Sequence, residues 1–206
     1  MSQELEIVIA SGNQGKIEEI KDILKDWRVK ILSLRDYPDM APIVEDGRTF
    51  EENAVKKAET VCRFTGKIAL ADDSGLEVDA LNGAPGVMSA RYAGEGATKE
   101  ALNKKLLKAM EDVPEQKRTA RFRCVMAIAQ PDRQTQVVSG KCEGIIAHAM
   151  RGDYGFGYDP VFVVPSFGKT MAELGGEIKN RISHRALALQ KALLILHSVF
   201  QEGAND

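Results

Sequence analysis

Asp72 and Asp73 stand side by side in Asp-Asp-Ser-Gly, directly after the short apolar run from Ile68 to Ala71. Adjacent carboxylates repel, so burying both requires a cation or a proton. Such a pair is either an Asp-rich turn or a hard-metal ligand combined with a general base. Successive strand residues face opposite ways, so if a strand runs through the pair only one of them faces a given site. Glu45-Asp46-Gly47 is a turn, or Glu45 supplies another oxygen ligand. Asn53 and Lys57 lie four residues apart in a helical segment and therefore share a face. That face is either solvated or borders a site where Lys57 neutralises phosphate charge.

A second group of residues suits an anion and a flat ring. Ser11, Gly12, Asn13, Gln14, Gly15 and Lys16 fall between a strand and a helix start. Free backbone N–H groups and the helix dipole favour an anion there, glycines permit close backbone approach, and Lys16 adds a positive charge. The glycine spacing and the missing Lys-Ser/Thr ending exclude a Walker A loop. The bland alternative is a polar strand-to-helix turn. Gly155-Phe156-Gly157-Tyr158-Asp159-Pro160 interleaves aromatics with glycines, as a loop approached by a planar group would. Phe156 offers a stacking face, unless both aromatics simply pack inward. Lys179, His184 and Arg185 concentrate donors within seven residues, able to read carbonyl oxygens or hold phosphate. For His184 the alternative is a first-turn residue that contacts only water. Together these segments provide an anion loop, metal carboxylates, cations, an aromatic platform and base-reading donors.

The elements that must position these groups follow from the apolar pattern. Leu5–Ala10 reads as a buried strand, and Ile17, Ile20, Ile23, Leu24 and Trp27 as one helical face. Arg28–Leu34 is a second strand. Thr49 and Glu52 form a capping box for a helix reaching about Phe64. Ile68–Ala71 is a short strand, Asn82–Gly96 a Gly/Pro-rich loop, and Thr98–Met110 a helix. Thr119–Gln130 and Gln136–Ile146 read as paired antiparallel strands, and Phe162–Val164 as a buried strand. Ser183 caps a closing helix that runs to about Phe200. The predicted class is α/β: a mixed sheet packed by helices, with two lobes and a central cleft, in one domain spanning the whole chain.

The 206 residues are 44% apolar and 28% charged, with a formal net charge of −2. No basic run would track a nucleic-acid backbone. No apolar stretch suits a membrane span, and Met1–Glu6 is too polar for a signal peptide. Cys62, Cys124 and Cys142 fit no zinc spacing and read as reduced thiols of a cytoplasmic protein. Only the tail around Glu202–Asp206 suggests disorder.

The blocks SGNQGKIEEI, EDGRTFEENAVKKA, ADDSGLEVDALNGAPGVMSARYAG, GFGYDPVF, KTMAEL and KNRISHRALA run in order from Ser11 to Ala188. In these blocks the sequence resembles the inosine triphosphate pyrophosphatase family. The resemblance implies an elongated mixed α/β fold with a deep cleft, a homodimer, and a Mg²⁺-dependent enzyme. Its substrates would be inosine and xanthosine triphosphates and their deoxy forms, cut to the monophosphate and pyrophosphate to cleanse the nucleotide pool. It implies Asp73 as proton acceptor and metal ligand, and Glu45 as a second Mg²⁺ carboxylate. It places Lys57 at the phosphate end. Ser11, Gly12, Asn13, Gln14, Gly15, Lys16, Ser74, Phe156, Gly157, Tyr158, Asp159, Lys179, His184 and Arg185 match substrate-contacting positions. Asp153-Tyr154 stand where many members carry smaller residues.

Overall fold

The computed structural model describes residues 5–25, 27 and 29–203. The reading of Met1–Glu6 therefore falls largely outside the described residues. So do the Arg28 start of the second strand and residues 204–206 of the expected tail.

The first strand, β1 (Leu5–Ile9), buries Ile7, Val8 and Ile9 and pairs in parallel with β2 (Val29–Ser33) and β3 (Ile68–Val78). Burial of successive residues is what the apolar run from Ile7 to Ala10 predicts. Helix α1 (Gln14–Leu24) joins β1 to β2, and α2 (Phe50–Thr65) precedes β3. The α3 helix (Lys99–Ala109) comes next, then β4 (Thr119–Ala129) and β5 (Gln136–Ile146). Short strands β6 (Phe162–Val164) and β7 (Lys169–Thr170) lead into α4 (Met171–Ile182) and α5 (His184–Gly203). The strands form one seven-stranded sheet in the order β2-β1-β3-β4-β5-β6-β7. It is mixed, because β5 pairs β6 and β6 pairs β7 antiparallel. Helices flank it, in agreement with the α/β class.

The chain divides into two compact units, each with its own core. The first comprises residues 1–73, 124–140 and 186–206. Its core joins Ile7 and Ile9 of β1 to Ile17, Ile20 and Leu24 of α1, Met126 and Ile128 of β4, and Leu189 and Leu196 of α5. The second unit comprises residues 74–123 and 141–185. There Leu102, Leu106 and Met110, the expected face of α3, pack with Leu76, Phe122, Phe162 and Leu174.

Three differences from the sequence reading bear on the site. β3 does not stop at Ala71 but continues through Asp72, Asp73 and Ser74 to Val78, because Leu76 and Val78 supply further buried positions. Helix α4 was not anticipated: two adjacent glycines hide its period, and Gly175 (φ 74°) breaks the helix internally. Ser183 is consequently the extended hinge between two helices, and its N–H closes α4 on the Lys179 carbonyl. At α2, Thr49 accepts from the Glu52 N–H as expected, but Glu52 reaches back to Arg48 rather than Thr49. The helix closes on Gly66 in the left-handed region.

Candidate active site

The first unit carries a carboxylate–ammonium cluster around Asp73. Strand alternation separates the Asp pair by partner. Asp72 meets Lys16 from the first turn of α1 (Oδ2 to Nζ, 3.0 Å) and receives a long contact from the Cys124 thiol (4.0 Å). Asp73 instead accepts from Asn53 Nδ2 (2.9 Å) and lies 3.9 Å from Lys57 Nζ, both on α2. Lys57 also donates to Glu45 Oε2 at 2.8 Å. One ammonium therefore draws together the two carboxylates expected to bind metal. Asp73 is 8% exposed and Lys57 6%. Burial pushes the Asp73 carboxyl above its ordinary range, while Lys57, Lys16 and the Asn53 hydrogen bond pull the other way.

Glu45 and Asp73 offer hard oxygen donors, and Lys57 shows that a cation is accommodated against both. Among the described residues no group of three or more His, Cys, Asp or Glu is arranged for a metal ion. A pair of carboxylates completed by water and substrate phosphate oxygens is the arrangement typical of Mg²⁺. The residues present thus fit that ion in combination with a polyphosphate.

The anion loop lies in the same unit. Asn13 caps α1, its side chain accepting from the Lys16 N–H (3.3 Å), and its own N–H donates to Ser11 Oγ. Gln14 and Gly15 are the first helical residues rather than loop. Gly12 is exposed, and a Cβ added there would meet no atom within 4 Å.

The second unit carries the aromatic platform. Asp159 Oδ2 accepts from the Phe156 N–H (2.9 Å) and from Lys179 Nζ (2.5 Å). Lys179 Nζ and the Arg185 guanidinium carbon stand 4.7 and 5.4 Å from the Phe156 ring centroid, within cation–π range. Arg185 also donates to Ser74 Oγ at 2.9 Å. His184 is buried and stacks on Phe122 with centroids 4.8 Å apart, which overturns the reading that it contacts only water. Tyr158 does pack inward: its hydroxyl donates to the Ser89 carbonyl, and burial pushes its phenol well above the ordinary value. Gly157 has φ +58°. Gly155 has φ +80°, and a Cβ there would press within 2.1 Å of Asp159 Oδ2.

A model of the Ham1 family matches residues 7–194. The chain belongs to the Ham1 family. A relative from Desulforamulus reducens, named dITP/XTP pyrophosphatase, is 50% identical over 95% of this chain and 98% of its own. Another of that name, from Geobacter sulfurreducens, is 52% identical over 95% and 97%. Among solved structures, a HAM1 protein from Coxiella burnetii superposes with a TM-score of 0.86 at 44% identity, covering 94% of this chain and 99% of that one. The Staphylococcus aureus Ham1 protein gives 0.84 at 45%, covering 94% and 98%.

For this Ham1-family chain, the structure adds residues that the sequence reading passed over or left ambiguous. Asn53 looked like a solvated helix residue, yet it is buried and uses both ends of its amide. Its Oδ1 accepts from the Gly47 N–H (2.8 Å) while Nδ2 holds Asp73. Gly47 permits this, since a Cβ there would sit 2.6 Å from Asn53 Oδ1. Asp159 emerges as the internal brace of the platform. Neither role is complete in the local sequence, because Asn53 acts on Asp73 and Asp159 pairs with Lys179, each 20 positions away.

Proposed function

We propose that this chain hydrolyses deaminated purine nucleoside triphosphates (ITP, dITP and XTP) to the monophosphate and pyrophosphate, with Mg²⁺, as a cytoplasmic homodimer. The observation that carries the chemistry is Lys57 between Glu45 and Asp73. A buried ammonium flanked by two carboxylates is suited to donate to phosphate oxygens while Asp73 is released for proton transfer. The names of the relatives support the choice of base, and the family supports the reaction. Described helices include none long and apolar enough to cross a membrane.

A triphosphate repels an incoming nucleophile, so its charge must first be offset. Lys16, Lys57 and the N-terminus of α1 provide cations and dipole for this. Mg²⁺ held by Glu45 and Asp73 would neutralise further charge and orient the pyrophosphate leaving group. Asp73 takes the proton as water oxygen bonds to the α-phosphorus and the bridge to the β-phosphate breaks. Its affinity for protons, raised by burial, favours taking the proton of the attacking water. Phe156 stacks on the base, and Lys179, His184 and Arg185 read its oxygens. Hypoxanthine offers a 6-oxo acceptor and an N1–H donor where adenine offers the reverse, so an adenine would leave buried groups unpaired.

The test is pyrophosphate release from dITP, XTP, dGTP, dATP and dTTP, with Mg²⁺ and with chelator. Mg²⁺-dependent turnover concentrated on the first two is expected. Equal turnover of all five would remove base selection, and binding without turnover would replace the enzyme by a nucleotide sensor.

A further inference from the structure

Asn103 lies on the inner face of α3 among Leu102, Leu106 and Met110, and is 0% exposed. Leucine would suit such a position better. The Asn103 amide uses its NH₂ on two carbonyls, that of Lys99 one turn back (2.7 Å) and that of Gly157 in the platform loop (2.8 Å). Its own Oδ1 is buried without a hydrogen-bond partner among the described residues. An unpaired buried acceptor lowers stability, so packing alone does not account for asparagine here. The carbonyl of Lys99 already receives a helical hydrogen bond by virtue of its place in α3, so the bond to Gly157 is what the side chain adds beyond its own helix.

Gly157 needs such a contact. It and Gly155 both occupy the left-handed region, and glycines there give the loop many alternative conformations in the absence of ties. The loop ties itself down through Asp159 to the Phe156 N–H and through Tyr158 to Ser89. The Asn103 bond falls between them, on the residue next to Phe156, and comes from a rigid helix.

We propose that Asn103 is a positioning residue for base recognition: through the Gly157 carbonyl it fixes the plane of Phe156. It cannot touch substrate, being fully buried. The inference rests on the nucleotide reading above for its consequence, but not for the mechanical role itself.

The test compares the full chain with Asn103→Leu, which keeps the branched shape of the side chain and removes both its donor and its unpaired acceptor. Expected are a cooperative melt that shows a folded variant, a KM for dITP raised about tenfold, as the loss of one well-placed hydrogen bond allows, and a kcat within about threefold. Hydrogen exchange followed by mass spectrometry is the second reading, on Asn103→Ser as well. Residues 155–159 exchange about tenfold faster in both variants, with the peptides of β4 and β5 unchanged. A lower Tm with unaltered KM and unaltered exchange of the loop would overturn the proposal and make Asn103 purely structural. If the unsubstituted chain fails to turn over dITP, the nucleotide reading falls, and the exchange comparison alone decides whether Asn103 holds the loop.

Discussion

The two clusters hold their charged groups in opposite ways. Around Asp73 the carboxylates and ammoniums are shared: Lys57 serves Glu45 and Asp73 at once, with the longer contact at 3.9 Å. Around Phe156 they are closely paired: Lys179 and Asp159 meet at 2.5 Å, both almost fully buried. Shared, loosely closed charges can exchange partners when a polyphosphate arrives. A committed pair resists exchange, because breaking it leaves a buried charge uncompensated. The first arrangement suits a place where protons and metal move, and the second suits a rigid surface whose shape does the selecting. Both use an asparagine from a neighbouring helix, Asn53 on the carboxylate and Asn103 on the loop carbonyl.

Substitution at each centre should separate rate from recognition. Asp73→Asn keeps an acceptor for Asn53 but removes the proposed base, so kcat should fall by about 10³-fold, within the usual range for general-base loss. KM should change little, and the fold should gain roughly 1 kcal/mol at neutral pH, as often happens when a strained functional group is removed. Initial rates and urea melts check both. Near-normal kcat in a folded variant would end the role of Asp73. Phe156→Ala should act on the other axis. Stacking on an aromatic contributes ~1–3 kcal/mol per base, so KM for dITP should rise by ten- to a hundredfold, with kcat much less affected. If kcat fell as far as in Asp73→Asn, the division of labour between the clusters would be wrong.

The glycines sharpen the same contrast. Gly155→Ala would force a side chain into the left-handed region and into Asp159 Oδ2 at 2.1 Å. We expect a loss of about 1–3 kcal/mol in stability, seen as a lower midpoint in denaturant. Gly12→Ala meets no protein atom, so its midpoint should stay within ~0.5 kcal/mol of the parent. Its effect should fall on nucleotide KM alone, as the added methyl obstructs an approaching phosphate. Equal destabilisation by the two would mean that the loop before α1 is under constraints the contacts do not reveal.

Much of this was legible in the residues. The apolar runs of β1 and β6 and the spaced leucines of α3 are local patterns, and each element stands where its pattern puts it. Asp72-Asp73 announced themselves because two buried like charges need explanation. The length of β3 was not legible, since Asp-Asp-Ser-Gly has the composition of a turn and is held extended by buried Leu76 and Val78 beyond it. Nor were Asn53 and Asn103, because an asparagine in a helix carries no mark of burial. What decides their roles is a hydrogen bond to a segment 20 or 54 positions away in the sequence. Side chains that work through such long-range partners are where a sequence read by local period falls silent.

The smallest effect concerns pH and belongs to the shared cluster alone. Burial raises the proton affinity of Asp73 above that of an ordinary aspartate. Between the ordinary value of 3.8 and the raised one, the folded chain holds a proton that the unfolded chain has released. Stability therefore falls as pH rises through this window, and the contribution is fully present only below it. The base works only when ionised, so kcat should climb across the same window in which stability declines. Urea melts of the parent and of Asp73→Asn in metal-free buffer isolate the group, since every other carboxylate cancels in the difference. The stability difference should tilt towards the variant as pH rises and then level off. A tilt in the opposite direction would mean that Lys57, Lys16 and Asn53 outweigh burial. Asp73 would then be a committed charge like Asp159, and the contrast between the clusters would be lost.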